Sequence, residues 1–276
     1  MPAKPVNRAN RHNKSKTSSN LPFVIGGALL ALIVLAIALQ PPAKDPKTVC
    51  SQKSIPGHTV LLLDVSDKLT PAQHERLKNE LMNLSATSTN RPDALLSKGE
   101  KLTLYFTNED GEMPTKAFSM CHPGRLEDRN TSESLSEGAI YAQKKWEAFS
   151  TTTLAAIDNK LMSTTSLSSS PILESINYIR SKEFPPPSVI SSDDNSRLLI
   201  WSDLLENSSE KNHFSSDLKN DASYAEYPIS LNNVDVSIYY LLSEKYSNHQ
   251  TKYHKQWWRK FFANAGADLQ SWMTIK

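Results

Sequence analysis

Two aspartates stand where chemistry is expected. Asp64 closes an apolar run at 59–63 and Asp203 closes another at 197–202, and both runs read as strands buried on both faces. In an open α/β sheet the working site lies at the carboxyl ends of the strands, near the switch in strand order. Carboxylates there are candidates for proton transfer or for oxygen ligation. Other familiar chemistry is missing. With only 8 glycines the chain has no phosphate-binding loop and no GxGxxG, and it has neither a GxSxG elbow nor an HExxH pair. The 7 histidines are scattered, and His249 and His254 are too far apart in sequence to share one helical face. Cys121-His122 has no further ligands nearby to complete a tetrahedral zinc site.

The elements that must carry these aspartates follow a basic, then apolar, leader. The first forty residues hold five basic side chains (Lys4, Arg8, Arg11, Lys14, Lys16) and no acidic one. The remainder is therefore net acidic, which argues against nucleic acid as a partner, because phosphate binding needs clustered Lys and Arg. Residues 21–39 are uncharged and almost wholly apolar; as a helix they span about 28 Å, close to a bilayer's hydrocarbon thickness. The basic residues all precede this run, so the expected topology is a cytoplasmic tail (1–20), a transmembrane helix (21–40), a proline-containing stalk (41–56) and an extracytoplasmic domain (57–276). Ala36-Ile37-Ala38 has the form of a signal-peptide cleavage site, but the length of the run and of its leader favours an uncleaved anchor in the inner membrane with a periplasmic domain. Cys50 and Cys121 both fall beyond that membrane, where oxidation is permitted, and a disulfide is expected between the segment entering the domain and the loop after the second strand.

Within the domain, strands are expected at 59–63, 101–107, 197–202 and 234–242, with an edge strand at 269–275. Thr70-Pro71-Ala72-Gln73 reads as a capping box opening a helix. Further helices are expected over 139–162, after Ser170-Pro171 with Ser170 as its cap, and over 250–265, where Trp257, Trp258, Phe261 and Phe262 read mainly as core. The alternation indicates an α/β fold, doubly wound around a mainly parallel, Rossmann-like sheet.

The order of a strand, the loop Asp64-Val65-Ser66-Asp67-Lys68, a helix, a later loop with Ser170, and a strand ending in Ser202-Asp203 resembles the von Willebrand factor A domain over most of residues 57–276. In that family an Asp-x-Ser-x-Ser loop, a distant Thr and a distant Asp hold one divalent cation, which a partner protein's acidic group completes. The resemblance implies Asp64, Ser66, Ser170 (in place of the threonine) and Asp203 as ligands of a cation such as Mg2+. Lys68 stands where the family has its second serine, and its ammonium would repel a cation or pair with Asp64 or Asp203. The wider plan is similar to bacterial membrane-anchored proteins often carried on mobile genetic elements.

The function expected is a membrane-anchored, scaffold- or adhesion-type interaction domain of the cell envelope that binds another protein at the strand ends, and is not an enzyme. Two alternatives stay open. Residues 62–70 are similar to the first motif of haloacid-dehalogenase-type phosphatases, although Ser66 stands where the acid–base aspartate should be and cannot shuttle a proton near neutral pH. The other is a structural subunit of an envelope complex, using the transmembrane helix and the aromatic face.

Overall fold

The computed structural model describes residues 29–35, 37, 44–45, 47–51, 55–85, 96–108, 113–124, 138–163, 167–184 and 195–276. The chain divides into two units, Met1–Pro41 and Pro42–Lys276. In the first, residues 29–35 and 37 are helical. No helix among the described residues is long and apolar enough to cross a membrane. The basic tail, most of the expected transmembrane run and much of the stalk lie outside the described residues.

The second unit is built on a six-stranded sheet. In chain order its elements are β1 (Gly57–Leu63), α1 (Pro71–Ser85), β2 (Lys101–Phe106), β3 (Thr115–Cys121), α2 (Ala139–Ser163), α3 (Ile172–Glu183), β4 (Asn195–Ser202), β5 (Val234–Leu241), α4 (Lys252–Asn264) and β6 (Asp268–Ile275). The sheet order is β3-β2-β1-β4-β5-β6, parallel throughout except that β3 runs antiparallel to β2. From β1 the chain steps outward to β2 and then returns to the other side of β1 as β4, so the switch in direction lies between β1 and β4.

Period-two alternation distributes the strand side chains between two cores. Val60, Leu62, Leu198, Ile200, Val236 and Ile238 point to the face covered by α3 and α4, with Ile176, Trp258 and Phe262 packed on them. Leu61, Leu63, Leu104, Phe106, Leu199 and Trp201 point to the face covered by α1 and α2, against Leu77, Leu81, Phe149 and Ile157. Both faces are covered, which is why the central strands read as continuous apolar runs. Trp257, Trp258, Phe261 and Phe262 of α4 are all buried, so this helix lays that aromatic face on the sheet.

Local signals behave as the sequence implies at α1. The Gln73 backbone N–H donates to Thr70 Oγ1 over 3.2 Å and the Thr70 N–H donates back to Gln73 Oε1 over 3.0 Å. Two expectations need correction. A strand, β3, occupies part of what was read as loop between β2 and Cys121, and the Cys50–Cys121 disulfide (S–S 2.08 Å) therefore joins the entering segment to the end of an edge strand. Ser170 does not cap α3: the cap position is Pro171, with no side-chain hydrogen bond. The Leu173 N–H donates instead to Glu206 Oε2 over 2.8 Å, a carboxyl brought from the far side of β4.

Candidate functional site at the strand ends

Asp64 follows β1 and is held by the ladders on either side. Its N–H donates to the Trp201 carbonyl over 2.9 Å, and the Thr107 N–H donates to the Leu63 carbonyl over 3.2 Å. Its carboxylate is 4% exposed and accepts four hydrogen bonds. The Ser66 N–H (3.0 Å) and the Thr107 hydroxyl (3.1 Å) donate to Oδ1. The Ser202 hydroxyl (2.7 Å) and the Ser170 hydroxyl (3.2 Å) donate to Oδ2. Asp64 thus joins β1, the end of β2, the end of β4 and the turn into α3. Ser170 lies one residue before the cap position, Pro171, and its hydroxyl donates to the buried Asp64 carboxylate.

Asp203 lies one residue past β4, 8% exposed, with its Oδ1 accepting the Leu205 N–H over 2.9 Å. Burial, and then the neighbouring Asp64 carboxylate, push its carboxyl up to about 8. The turn after it is strained. Leu204 has φ 57°, a left-handed conformation unusual for a branched residue. Its carbonyl accepts from His254 Nε2 (2.8 Å) and Trp258 Nε1 (2.7 Å), while its N–H donates to Ser202 Oγ over 2.7 Å. A carbonyl can only accept, so His254 carries its proton on Nε2, and its Nδ1 accepts the Tyr240 hydroxyl over 2.9 Å. Burial holds the His254 imidazole down at about 4, so it is neutral at physiological pH. Gln250 fastens the same corner from above: its amide donates to the Asp203 carbonyl (3.2 Å) and the Leu241 carbonyl (2.6 Å), and accepts the Ser243 N–H (2.8 Å).

These residues floor a cleft of about 350 Å³ at the carboxyl edge of the sheet. It is lined by Asp64, Ser66 and Asp203, by Leu69, Leu241 and Leu242, and by Lys68, Glu244 and Lys276. At its rim Lys245 pairs with Asp67 at 3.8 Å, both well exposed. The structure therefore brings Asp64, Ser66, Ser170 and Asp203 to one corner, and puts the exposed Lys68 in the same cleft. Sequence reading missed Thr107, Ser202, Gln250, His254 and Trp258, which hold that corner in shape; their partners are remote in sequence, and no local spacing marks them. Asp193 and Asp194, the acidic pair considered for a phosphatase, lie outside the described residues.

The strand order with its single antiparallel edge strand, and two strand-end aspartates flanking the switch point, match the fold that the loop sequences resemble. The fold is von Willebrand factor A-like. No family model matches the chain, and no curated protein matches it. Among solved structures, it is similar to proximal thread matrix protein 1 from the mussel byssus, whose MIDAS motif holds zinc, at 12% identity and a TM-score of 0.37, covering 90% of this chain and 47% of that one. This chain thus spans about half the length of the mussel protein. It is similar also to BatB from Bacteroides thetaiotaomicron (12% identity, TM-score 0.39, 79% of this chain and 90% of that one). A third is an aerotolerance-related membrane protein from Bacteroides fragilis NCTC 9343 (10% identity, TM-score 0.37, 79% and 91%).

A divalent cation in this von Willebrand factor A-like corner would need hard oxygen ligands, about six for Mg2+. A carboxylate offers about four lone-pair positions. Those of Asp64 are all engaged by protein donors, and Lys68 places an ammonium at the mouth in place of a third ligand oxygen. The residues do not fit the ion.

Proposed function

We propose that this chain is a membrane-anchored interaction module of the cell envelope, with its domain outside the cytoplasm, and that it docks another protein in the strand-end cleft. The observation that carries the reading is the cleft itself. It opens at the switch point, between strands whose ends are fixed by buried hydrogen bonds, and its walls combine three leucines with charged rim residues. Strand ends held by buried hydrogen bonds, presenting charged groups beside leucines, suit recognition of a protein surface. The Cys50–Cys121 disulfide supports an oxidising compartment. Cys121 pairs with Lys101 at the start of β2, so the crosslink sits at the sheet edge opposite the cleft.

A non-enzymatic role is part of the proposal. A phosphatase of the dehalogenase type needs a nucleophilic aspartate with an acid–base partner; Asp64 has its acceptors engaged and Ser66 stands in the partner position. The burial of Trp257, Trp258, Phe261 and Phe262 leaves the aromatic face of α4 unavailable to a partner, so that version of a structural subunit has no support.

The test is photo-crosslinking in the native host's membranes. A photoreactive amino acid replaces Leu69 or Glu244 in the cleft, or Gln270 on β6 as a control. Adducts to one protein from the cleft positions only are the expected result. Equal capture from all three positions, or none from the cleft, sinks the docking surface.

A further inference from the structure

The Asp64 corner departs from a cation site in a way that has its own logic. Its four donors come from four segments: Ser66 from the loop after β1, Thr107 from the end of β2, Ser202 from the end of β4 and Ser170 from the turn into α3. A buried carboxylate with every acceptor position filled is compensated by its own protein and has no electrostatic demand for an ion. A metal, or a water bound to one, would have to displace one of these donors. The displaced donor would then be left unpaired, because Thr107 and Ser202 are fully buried. Ser202 makes the cost higher, since its oxygen also accepts the Leu204 N–H that holds the left-handed turn. Lys68 is exposed, lines the cleft beside Asp67 and Glu244, and stands two residues beyond Ser66, so an ammonium is already present there without an ion.

We infer that the strand-end site works without a divalent cation: Asp64 is a structural keystone that locks four segments together, and Lys68 supplies the positive charge at the mouth of the cleft. This goes beyond the docking proposal and does not depend on it.

The experiment uses the purified full-length chain and Mn2+ alone as probe. Electron paramagnetic resonance reads free hexaaqua Mn2+, and melting is followed in Mg2+ and in EDTA. With wild type in excess, the Mn2+ signal keeps its buffer amplitude and the two melting curves coincide. Lys68→Ser, an exposed substitution that leaves the fold intact, behaves the same way, because removing the ammonium frees no acceptor on Asp64. Attenuation of the signal by wild type, reversed by excess Mg2+, overturns the inference. Gain of Mn2+ binding by Lys68→Ser also overturns it, because the ammonium alone would then be what excludes the ion. In the crosslinking assay, a partner captured only with Mg2+ present sinks this inference and leaves the docking surface standing; loss of all cleft adducts does the reverse.

Discussion

The Ser202 hydroxyl donates to Asp64 Oδ2 over 2.7 Å, and this bond ties β4 to β1 at the point where the chain reverses its course across the sheet. Deleting the acceptor orphans three hydroxyls and an amide at once. Asp64→Ala is expected to destabilise the domain by roughly 3 kcal/mol or more, and Asp64→Asn by less, since an amide oxygen still accepts and hydroxyls can turn to meet the amide hydrogens. Urea denaturation of the three proteins measures this; an Asp64→Ala protein as stable as wild type would show that Asp64 is not a keystone.

The left-handed turn at Leu204 depends on α4. Trp258→Phe removes one of the two side-chain donors to its carbonyl, which also accepts the Glu206 N–H, and is expected to cost about 1 kcal/mol in hydrogen bonding, beyond any packing loss. His254→Phe removes the other donor and also strands the Tyr240 hydroxyl. Both donors serve one oxygen, so the pair should couple by about 0.5 kcal/mol or more in a double-mutant cycle. Strictly additive effects would mean that the two donors act independently of the turn.

Acid should weaken this domain through its histidines, opposed in part by Asp203, whose carboxyl, pushed up to about 8, binds its proton more readily in the folded state. His58 and His254 are held down at about 4 and His213 at about 3, in each case chiefly by burial. A group whose folded value is depressed binds fewer protons when native than when unfolded, so stability rises with pH across the gap. These contributions are complete above about 6.5 and are lost as pH falls towards 4, each by at most about 1.4 kcal/mol per pH unit. Glu183, held at about 2 against its own burial by Lys116, Tyr105 and Lys101, extends the loss to lower pH. Chemical denaturation from pH 7 to 4 tests this, with His58→Gln expected to remove about one proton from the slope.

Reducing the disulfide should matter more than its place at the rim of the sheet suggests. The two cysteines are 71 residues apart in sequence. In the chain-entropy account a loop of that size is worth about 4 kcal/mol. Cys50→Ser and Cys121→Ser should each lower the melting temperature to that of wild type in reductant, and reductant should not lower it further.

The parts of this fold legible in the sequence are those that local physics decides. Strands buried on both faces announce themselves as apolar runs, and Thr70 with Gln73 satisfies two helix-end amides within four residues. The strand β3 was not legible because it is an edge: its residues 115–117 are exposed, Lys116 and Ser119 interrupt any alternation, and pairing with β2 alone makes it a strand. At the site, Asp64 and Asp203 were visible because they end strands. Thr107, Ser202 and Trp258 were not, because each acts on a residue whose nearness only the folded sheet creates. Ser170 shows the two levels differing: Ser-Pro before an apolar helix is a strong capping signal, yet the helix begins one residue later, with Pro171 at the cap position, and a glutamate distant in sequence accepts the Leu173 N–H.

The crosslink at Cys50 also decides how the domain bears tension. A pull arriving along the chain from its N-terminal side reaches Cys50 before it reaches β1, and the sulfur bridge offers it a path into Cys121 at the end of β3. Force taken that way loads the β3–β2 seam at the rim of the sheet. The strand that carries Asp64 sits two places further in and is spared. Without the bridge, the same pull would act directly on β1 and drag at the cleft from beneath. Tension on the segment before Cys50 would thus leave the Asp64 corner in register.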